Sequence, residues 1–144
     1  MHFKNTAVGI IPLDEDYNTW IVGQYRYPLD IYSWEIPEGG SPKDQMPLES
    51  AKKELMEETG IRAATWLKIM DIHTSNSVTD ELGHVYIAKD LSFGDSQPEE
   101  TELLKIKKLP FQELFNMTMR GEVTDSISVA GILKTAVLIK NLEI

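Results

Sequence analysis

The chain contains no cysteine, which excludes disulfides and thiolate metal sites. No apolar run approaches the roughly 20 residues that a membrane span requires. The N-terminal MHFKNTAVGIIPLDED lacks the pattern of a signal peptide, because its apolar stretch is short and acids follow at once. Positive charge is scarce: 14 Lys and Arg face 23 Asp and Glu, for a formal net charge of −9. A surface of that sign repels nucleic acid and anionic membranes. An anionic small molecule is accepted only where metal ions or a local basic cluster reverse the potential. Internal repeats, low-complexity tracts and Pro/Gly/Ser linkers are absent as well. These absences lead us to expect one domain over residues 1–144, in a cytoplasmic protein with no nucleic-acid or membrane partner.

What is present suffices for a folded domain. At 144 residues the chain can bury a real core, and 42% apolar with 26% charged residues is a globular composition. TAVGIIPL reads as a strand from Thr6 to Leu13, and TWIVGQYRY as a second; the turn-rich DEDYN between them predicts a hairpin. IYSWEIP is a short strand ending at Pro37, and EGGSPKDQM a loop. PLESAKKELMEETG is the strongest helix signal, with Pro47 at the first helical position and Gly60 where a left-handed C-terminal residue belongs. ATWLKIMDIHT, HVYIAKDL and LLKIKKL read as further strands. PFQELFNMTMRG and TDSISVAGILKTAVLIKN read as helices, the second amphipathic and capped by Thr124 or Asp125. Strands, a helix, strands and two helices make a mixed α/β (α+β) domain rather than a doubly wound one.

The helix over residues 47–59 carries unusual charge. At about 100° per residue, Leu48, Ala51 and Leu55 form a compact apolar stripe. Glu54, Glu57 and Glu58 share one face beside it, with Glu58 next to the stripe rather than opposite. Like charges so placed repel, and partial burial sharpens the repulsion. A divalent cation would offset it, since carboxylate oxygens are hard ligands suited to Mg²⁺ or Mn²⁺. Spacing alone leaves two readings open, a metal site and a solvated acidic face. Gly39 and Gly40 in the preceding loop let backbone come close to a ligand or ion.

Residues 39–61, GGSPKDQMPLESAKKELMEETGI, resemble the Nudix box. Gly39, Glu54, Leu55, Glu57, Glu58, Gly60 and Ile61 match it at the right spacing. Gln45 stands where the box has its first Glu, and Lys53 where it has Arg. GQYRYPLDIYSWEIPEGG, SNSVTDELGHVYIAKDL and KKLPFQELFNMTMRGEVTD are similar to the branch of ADP-ribose pyrophosphatases and related nucleoside-diphosphate-sugar hydrolases.

The resemblance implies a Nudix fold, a mixed sheet sandwiched between helices, and Mg²⁺- or Mn²⁺-dependent cleavage of a nucleoside diphosphate linked to a sugar. ADP-ribose, cleaved to AMP and ribose 5-phosphate, is the substrate it points to first. Glu54 and Glu58 match metal-ligating positions, Glu57 a position that ligates or supports the ions, and the Glu38 carbonyl a further ligand. Gln45 keeps hydrogen-bonding capacity without charge, and Lys53 keeps charge without the guanidinium fork, so weaker support of the loop and slower turnover are expected. Glu100 and Glu102, in the acidic SQPEETELL stretch, match the loop that supplies a general base or extra ligand; Glu99 is an alternative, and so is a merely solvated loop. Arg26 matches a residue that reaches the diphosphate or ribose, or else pairs with Glu35. Trp34 offers a stacking face for a base, although aromatics at strand spacing also build cores. The SNS-x-x-DE turn matches one that lines the pocket for the group X carried by the nucleoside diphosphate, although a turn calls for such polar residues anyway. His2, His73 and His84 show no ligand spacing and read as structural. A homodimer is implied too. The alternatives are hydrolysis of nucleoside triphosphates or dinucleoside polyphosphates, and a module that binds a nucleotide sugar without cleaving it.

Overall fold

The computed structural model describes residues 6–26, 30–74, 81–94 and 104–144. Its elements run β1 (Thr6–Pro12), β2 (Asn18–Arg26), β3 (Ile31–Glu35), β4 (Glu38–Ser41), α1 (Pro47–Thr59), β5 (Ile61–His73), β6 (Leu82–Phe93), β7 (Leu104–Pro110), α2 (Phe111–Met119) and α3 (Ser126–Lys140). Two sheets form, a four-stranded one in the order β4-β1-β6-β5 and a three-stranded one in the order β3-β2-β7. β1 runs parallel to β6 and antiparallel to β4.

Why β1 lies at the centre follows from its period of two. Val8 and Ile10 face one side, where they pack with Ala51 and Leu55 of α1. Ile11 faces the other and joins Ile127 and Ile132 of α3. Between these, Gly9 leaves room for α3: a Cβ there would lie 2.7 Å from Ile127 Cγ2. The mixed sheet is therefore sandwiched between helices, as expected. Leu55 is fully buried, and burying a leucine side chain contributes about 1.5–3 kcal/mol.

α1 begins at Pro47 after an extended Met46 that gives no side-chain cap. It ends on Gly60 at φ 76°, whose N–H reaches the Met56 carbonyl at 2.9 Å. That left-handed residue turns the chain straight into β5. At α3, Asp125 rather than Thr124 is the cap, accepting the Ser128 N–H at 3.0 Å.

Three expectations are corrected. The DEDYN turn forms, with Asp14 N–H donating to the Asn18 carbonyl at 3.1 Å and the Asp14 carboxylate taking the Asn18 N–H at 2.8 Å. Yet β1 and β2 do not pair as a hairpin; they diverge into different sheets. The EGGS segment is a strand, not a loop, because β1 supplies a partner for its backbone with Gly9 opposite Glu38. α3 is apolar on much of its circumference rather than amphipathic. Its buried stripe includes Ser128 and Thr135, while Leu133 and Val137 are exposed. Among the described residues no helix is long and apolar enough to cross a membrane.

Candidate functional site

The acidic site grows from the corner between β3 and β4. Strand alternation puts Ser33 and Glu35 on the same inner face, where both are buried and the Ser33 hydroxyl donates to the Glu35 carboxylate at 2.8 Å. Residues 36 and 37 then turn the chain from one sheet to the other. The Ile36 N–H donates to the Ser128 hydroxyl at 3.0 Å, and the Pro37 carbonyl accepts from Ile10 N–H at 2.9 Å. Glu38 follows at once, and its N–H donates to the Glu58 carboxylate at 2.9 Å. That bond ties the start of β4 to the last turn of α1.

Gly39 explains the position of Glu54. A Cβ on Gly39 would lie 2.3 Å from the Glu54 carboxyl carbon, so the carboxylate rests on the bare Cα. Gly40 serves no such purpose within the protein, since its Cβ would meet nothing within 4 Å.

Asp125, capping α3, completes the group. Glu35, Glu38 and Asp125 each offer a carboxylate oxygen, and these oxygens lie within 4.8 Å of one another. A cavity of about 820 Å³ opens over them, lined also by Gly39, Gly40, Lys43, Glu58, Thr74 and Glu81.

Packing carboxylates together away from water has its usual effect on their protons. Burial pushes Glu38 up to about 10, with a hydrogen bond to Asp125 and the charges of Asp125 and Glu35 acting the same way; Ser128 opposes them. Burial likewise pushes Glu58 up to about 7, against the pull of the Glu38 N–H and with the charges of Glu54, Glu35 and Glu57 adding to the rise. Glu54 is raised by burial and then by Glu57, with Lys53 partly offsetting. Hard oxygen donors this close, with the ionised forms of Glu38, Glu54 and Glu58 disfavoured by burial, suit a divalent cation. The donor set therefore fits an ion such as Mg²⁺ or Mn²⁺.

The remaining candidates fall in different places. Glu57 is exposed and lies 3.9 Å from Lys53, away from the cavity lining. Trp34 packs edge-on to Tyr32, with the Lys107 ammonium 5.7 Å from its ring centre, and is not among the cavity-lining residues. Arg26 ends β2 opposite Ile31, whereas Glu35 is opposite Val22, so strand register does not bring Arg26 beside Glu35. Glu100 and Glu102, with the SNS-x-x-DE turn up to Asp80, lie outside the described residues. Gln45 and Lys53 sit together on a separate cleft of about 460 Å³ with Lys52, Arg62 and Trp66. His84 is buried and hydrogen-bonded at 2.7 Å to Asp71, outside the cavity lining.

Asp125 is the site residue that sequence reasoning missed. Its signal was visible as a helix cap, but nothing local says that the cap faces Glu38.

Comparison with known proteins adds an independent finding. A model described as "NUDIX domain" matches residues 3–127. An ADP-ribose pyrophosphatase of Mycobacterium tuberculosis (strain ATCC 25618 / H37Rv) is 33% identical over 135 residues, covering 88% of this chain and 63% of that protein. Another, of Bacillus subtilis (strain 168), is 31% identical over 140 residues, covering 96% and 72%. The chain thus spans between three-fifths and three-quarters of the length of these relatives. Among solved structures, one titled "Crystal structure of ADP compounds hydrolase" superposes with a TM-score of 0.84 at 18% identity, covering 98% of this chain and 76% of that one. A NUDIX hydrolase from Nitrosomonas europaea gives 0.74 at 14%, covering 94% and 90%. At those identities the structural matches speak for the fold.

Proposed function

The chain belongs to the NUDIX family, and from that premise we propose that it hydrolyses the diphosphate of a nucleoside diphosphate linked to a sugar, with ADP-ribose, cleaved to AMP and ribose 5-phosphate, as the substrate. The observation that carries this reading is the convergence of Glu58 from α1 with Glu35, Glu38 and Asp125 on one cavity. Two relatives named ADP-ribose pyrophosphatase, at 33% and 31% identity, support the choice of substrate. The reaction balances with one water: its oxygen joins one phosphorus, the bond from that phosphorus to the bridging oxygen breaks, that oxygen leaves on the second phosphate, and the two protons of the water pass to the product phosphates or to solvent.

Mg²⁺, with Mn²⁺ as a substitute, is the proposed cation; when bound it lowers the pKa of bound water and neutralises the diphosphate. Glu54, Glu58 and the Glu38 carbonyl would hold it, with the Glu57 charge in support and the Glu35 and Asp125 carboxylates adjoining. Gly39 keeps the Glu54 carboxylate seated against the strand. Lys43, at the cavity wall, brings positive charge toward a bound diphosphate. Glu100 or Glu102 is the proposed base, and Arg26 and Trp34 are proposed to meet the nucleotide. A single Nudix domain over 1–144, a homodimer and a cytoplasmic location belong to the same reading.

The test is a hydrolysis screen over ADP-ribose, ADP-glucose, GDP-mannose, UDP-sugars and nucleoside triphosphates, with and without Mg²⁺ or Mn²⁺. Products are separated by chromatography. AMP and ribose 5-phosphate formed only with metal are expected. Faster release of phosphate or pyrophosphate from a triphosphate would overturn the substrate. Metal-dependent binding of ADP-ribose without any product would leave a binding module.

A further inference from the structure

Ser128 stands on the first turn of α3, fully buried at 0% exposure. Its backbone N–H completes the helix cap by donating to the Asp125 carboxylate at 3.0 Å. The cap needs only that N–H, and the hydroxyl does something further. It accepts the Ile36 N–H at 3.0 Å, from a residue 92 positions earlier in the chain. It also lies 2.8 Å from Asp125 Oδ2 and 3.2 Å from Glu38 Oε2. A hydroxyl has one proton and two lone pairs, so it can take the Ile36 N–H while donating to one carboxylate or the other. One buried oxygen thus touches the β3–β4 corner and two members of the acidic group at once.

We infer that the Ser128 hydroxyl is a positioning group, which fixes the Ile36–Glu38 corner and the Glu38 and Asp125 carboxylates in the arrangement that receives the divalent cation. The inference rests on the proposed hydrolase reading for its cation. Three observations carry it. The Glu38 N–H, two residues beyond the amide held by Ser128, is the bond that reaches Glu58 of α1. Any drift of the corner therefore moves both the Glu38 carbonyl and the partner of Glu58. The hydroxyl also reaches both carboxylates of the hydrogen-bonded Glu38–Asp125 pair, so it helps to orient that pair. Nor is it needed to fill space, since an alanine would occupy nearly the same volume. Partners that orient a ligand from behind commonly change metal affinity or activity 10- to 100-fold when removed.

The test compares the full chain with Ser128→Ala, Ser128→Cys and Ser128→Thr, all well below their melting temperatures. Cysteine keeps the shape, slightly enlarged, with a much weaker donor, so that alanine and cysteine err in opposite directions on volume while both remove the hydroxyl. Two readouts are taken: amide hydrogen exchange at Ile36 and Glu38 in the metal-free protein, and Mn²⁺ affinity by calorimetry. In Ser128→Ala and Ser128→Cys, exchange at both amides is expected to speed up at least about tenfold, and Mn²⁺ affinity to weaken by about 10- to 100-fold. Ser128→Thr, which retains the hydroxyl, should restore both. Faster exchange with unchanged affinity would show a purely structural hydroxyl and overturn the inference, as would unchanged exchange. Hydrolysis measured alongside separates the two readings. A parent that binds Mn²⁺ but cleaves nothing refutes the hydrolase while the affinities still decide the role of Ser128. A parent that binds no Mn²⁺ refutes both.

Discussion

The Glu38 amide donates to the Glu58 carboxylate at 2.9 Å across 20 residues of chain. This bond is where an edge strand and an acidic helix meet, and it gives Glu58 two opposed influences. The N–H favours its ionised form, while burial and the neighbouring acids favour the neutral one and win, with the group at about 7.

Glu58→Gln should therefore separate stability from activity. Glutamine keeps an oxygen to accept the Glu38 N–H and removes a charge that the metal-free site does not welcome. The melting temperature in EDTA at pH 8 is expected to rise, by about 2–4 °C for each kcal/mol relieved in a domain of this size. Metal-dependent hydrolysis should fall by about 100-fold or more. Calorimetry and a steady-state assay on one preparation check both, and an active variant would remove Glu58 from the site.

Gly39→Ala and Gly40→Ala form a paired prediction. A Cβ on Gly39 collides with the Glu54 carboxyl at 2.3 Å, whereas one on Gly40 meets nothing within 4 Å. The Glu54 side chain can swing away, so the domain should still fold, but its carboxylate leaves its seat. Displacing a reacting constellation by about 1 Å costs on the order of 100-fold in rate. Turnover of Gly39→Ala should drop on that scale with near-parental circular dichroism. Gly40→Ala should stay close to the parent unless substrate itself presses on that position.

The metal-free protein should lose stability as pH rises. For Glu58 and Glu38 the unfolded value is near 4.5, and the folded values are pushed to about 7 and about 10. Between 4.5 and those values the folded state binds more protons than the unfolded one, so the slope of stability against pH is negative. The loss begins near pH 5 and continues toward pH 9. Groups held below their usual range, such as Asp71 and Glu122, act at lower pH with the opposite sign and leave this window alone. Thermal unfolding at pH 5, 7 and 9 in EDTA should show a falling midpoint, and added Mn²⁺ should recover most of it at pH 9. A midpoint that rises with pH would contradict the burial of these carboxyls.

Gln45→Glu with Lys53→Arg should strengthen the loop before α1. Both residues line one cleft behind the helix, and Lys53 is engaged only loosely with Glu57, at 3.9 Å on an exposed face. A carboxylate facing a guanidinium there would add a forked pair worth up to about 1 kcal/mol. The double variant should melt slightly higher and turn over faster, by a factor of about 5 if the same energy reaches the transition state. Unchanged melting and rate would show that the wild-type pair already supports the loop fully.

Much of this was legible in the residues. Pro47 and Gly60 bracket α1 where local backbone rules put them, and the wheel placed Leu55 inward with Glu58 at its margin, as found. These are short-range properties, encoded within a turn or two of helix. The hairpin failed because a tight turn specifies the direction of the return, not which sheet the returning strand will join. EGGS failed as a loop because glycine has poor strand propensity by itself, and β1 decides the matter from a distance. Asp125 was readable as a cap and unreadable as a neighbour of Glu38, since long-range packing, with Ile127 in the hollow at Gly9 and Ser128 bonded to Ile36, brings the two together.

The parting of β1 from β2 has a mechanical consequence. The cavity draws its walls from Thr6 and Ala7 on one sheet and from Val22 and Gln24 on the other. A molecule seated there works like a keystone, bearing on both slabs at once. The cavity's grip is thus a gauge of how the two slabs are set, and a slip of one against the other would be felt first by whatever is bound between them.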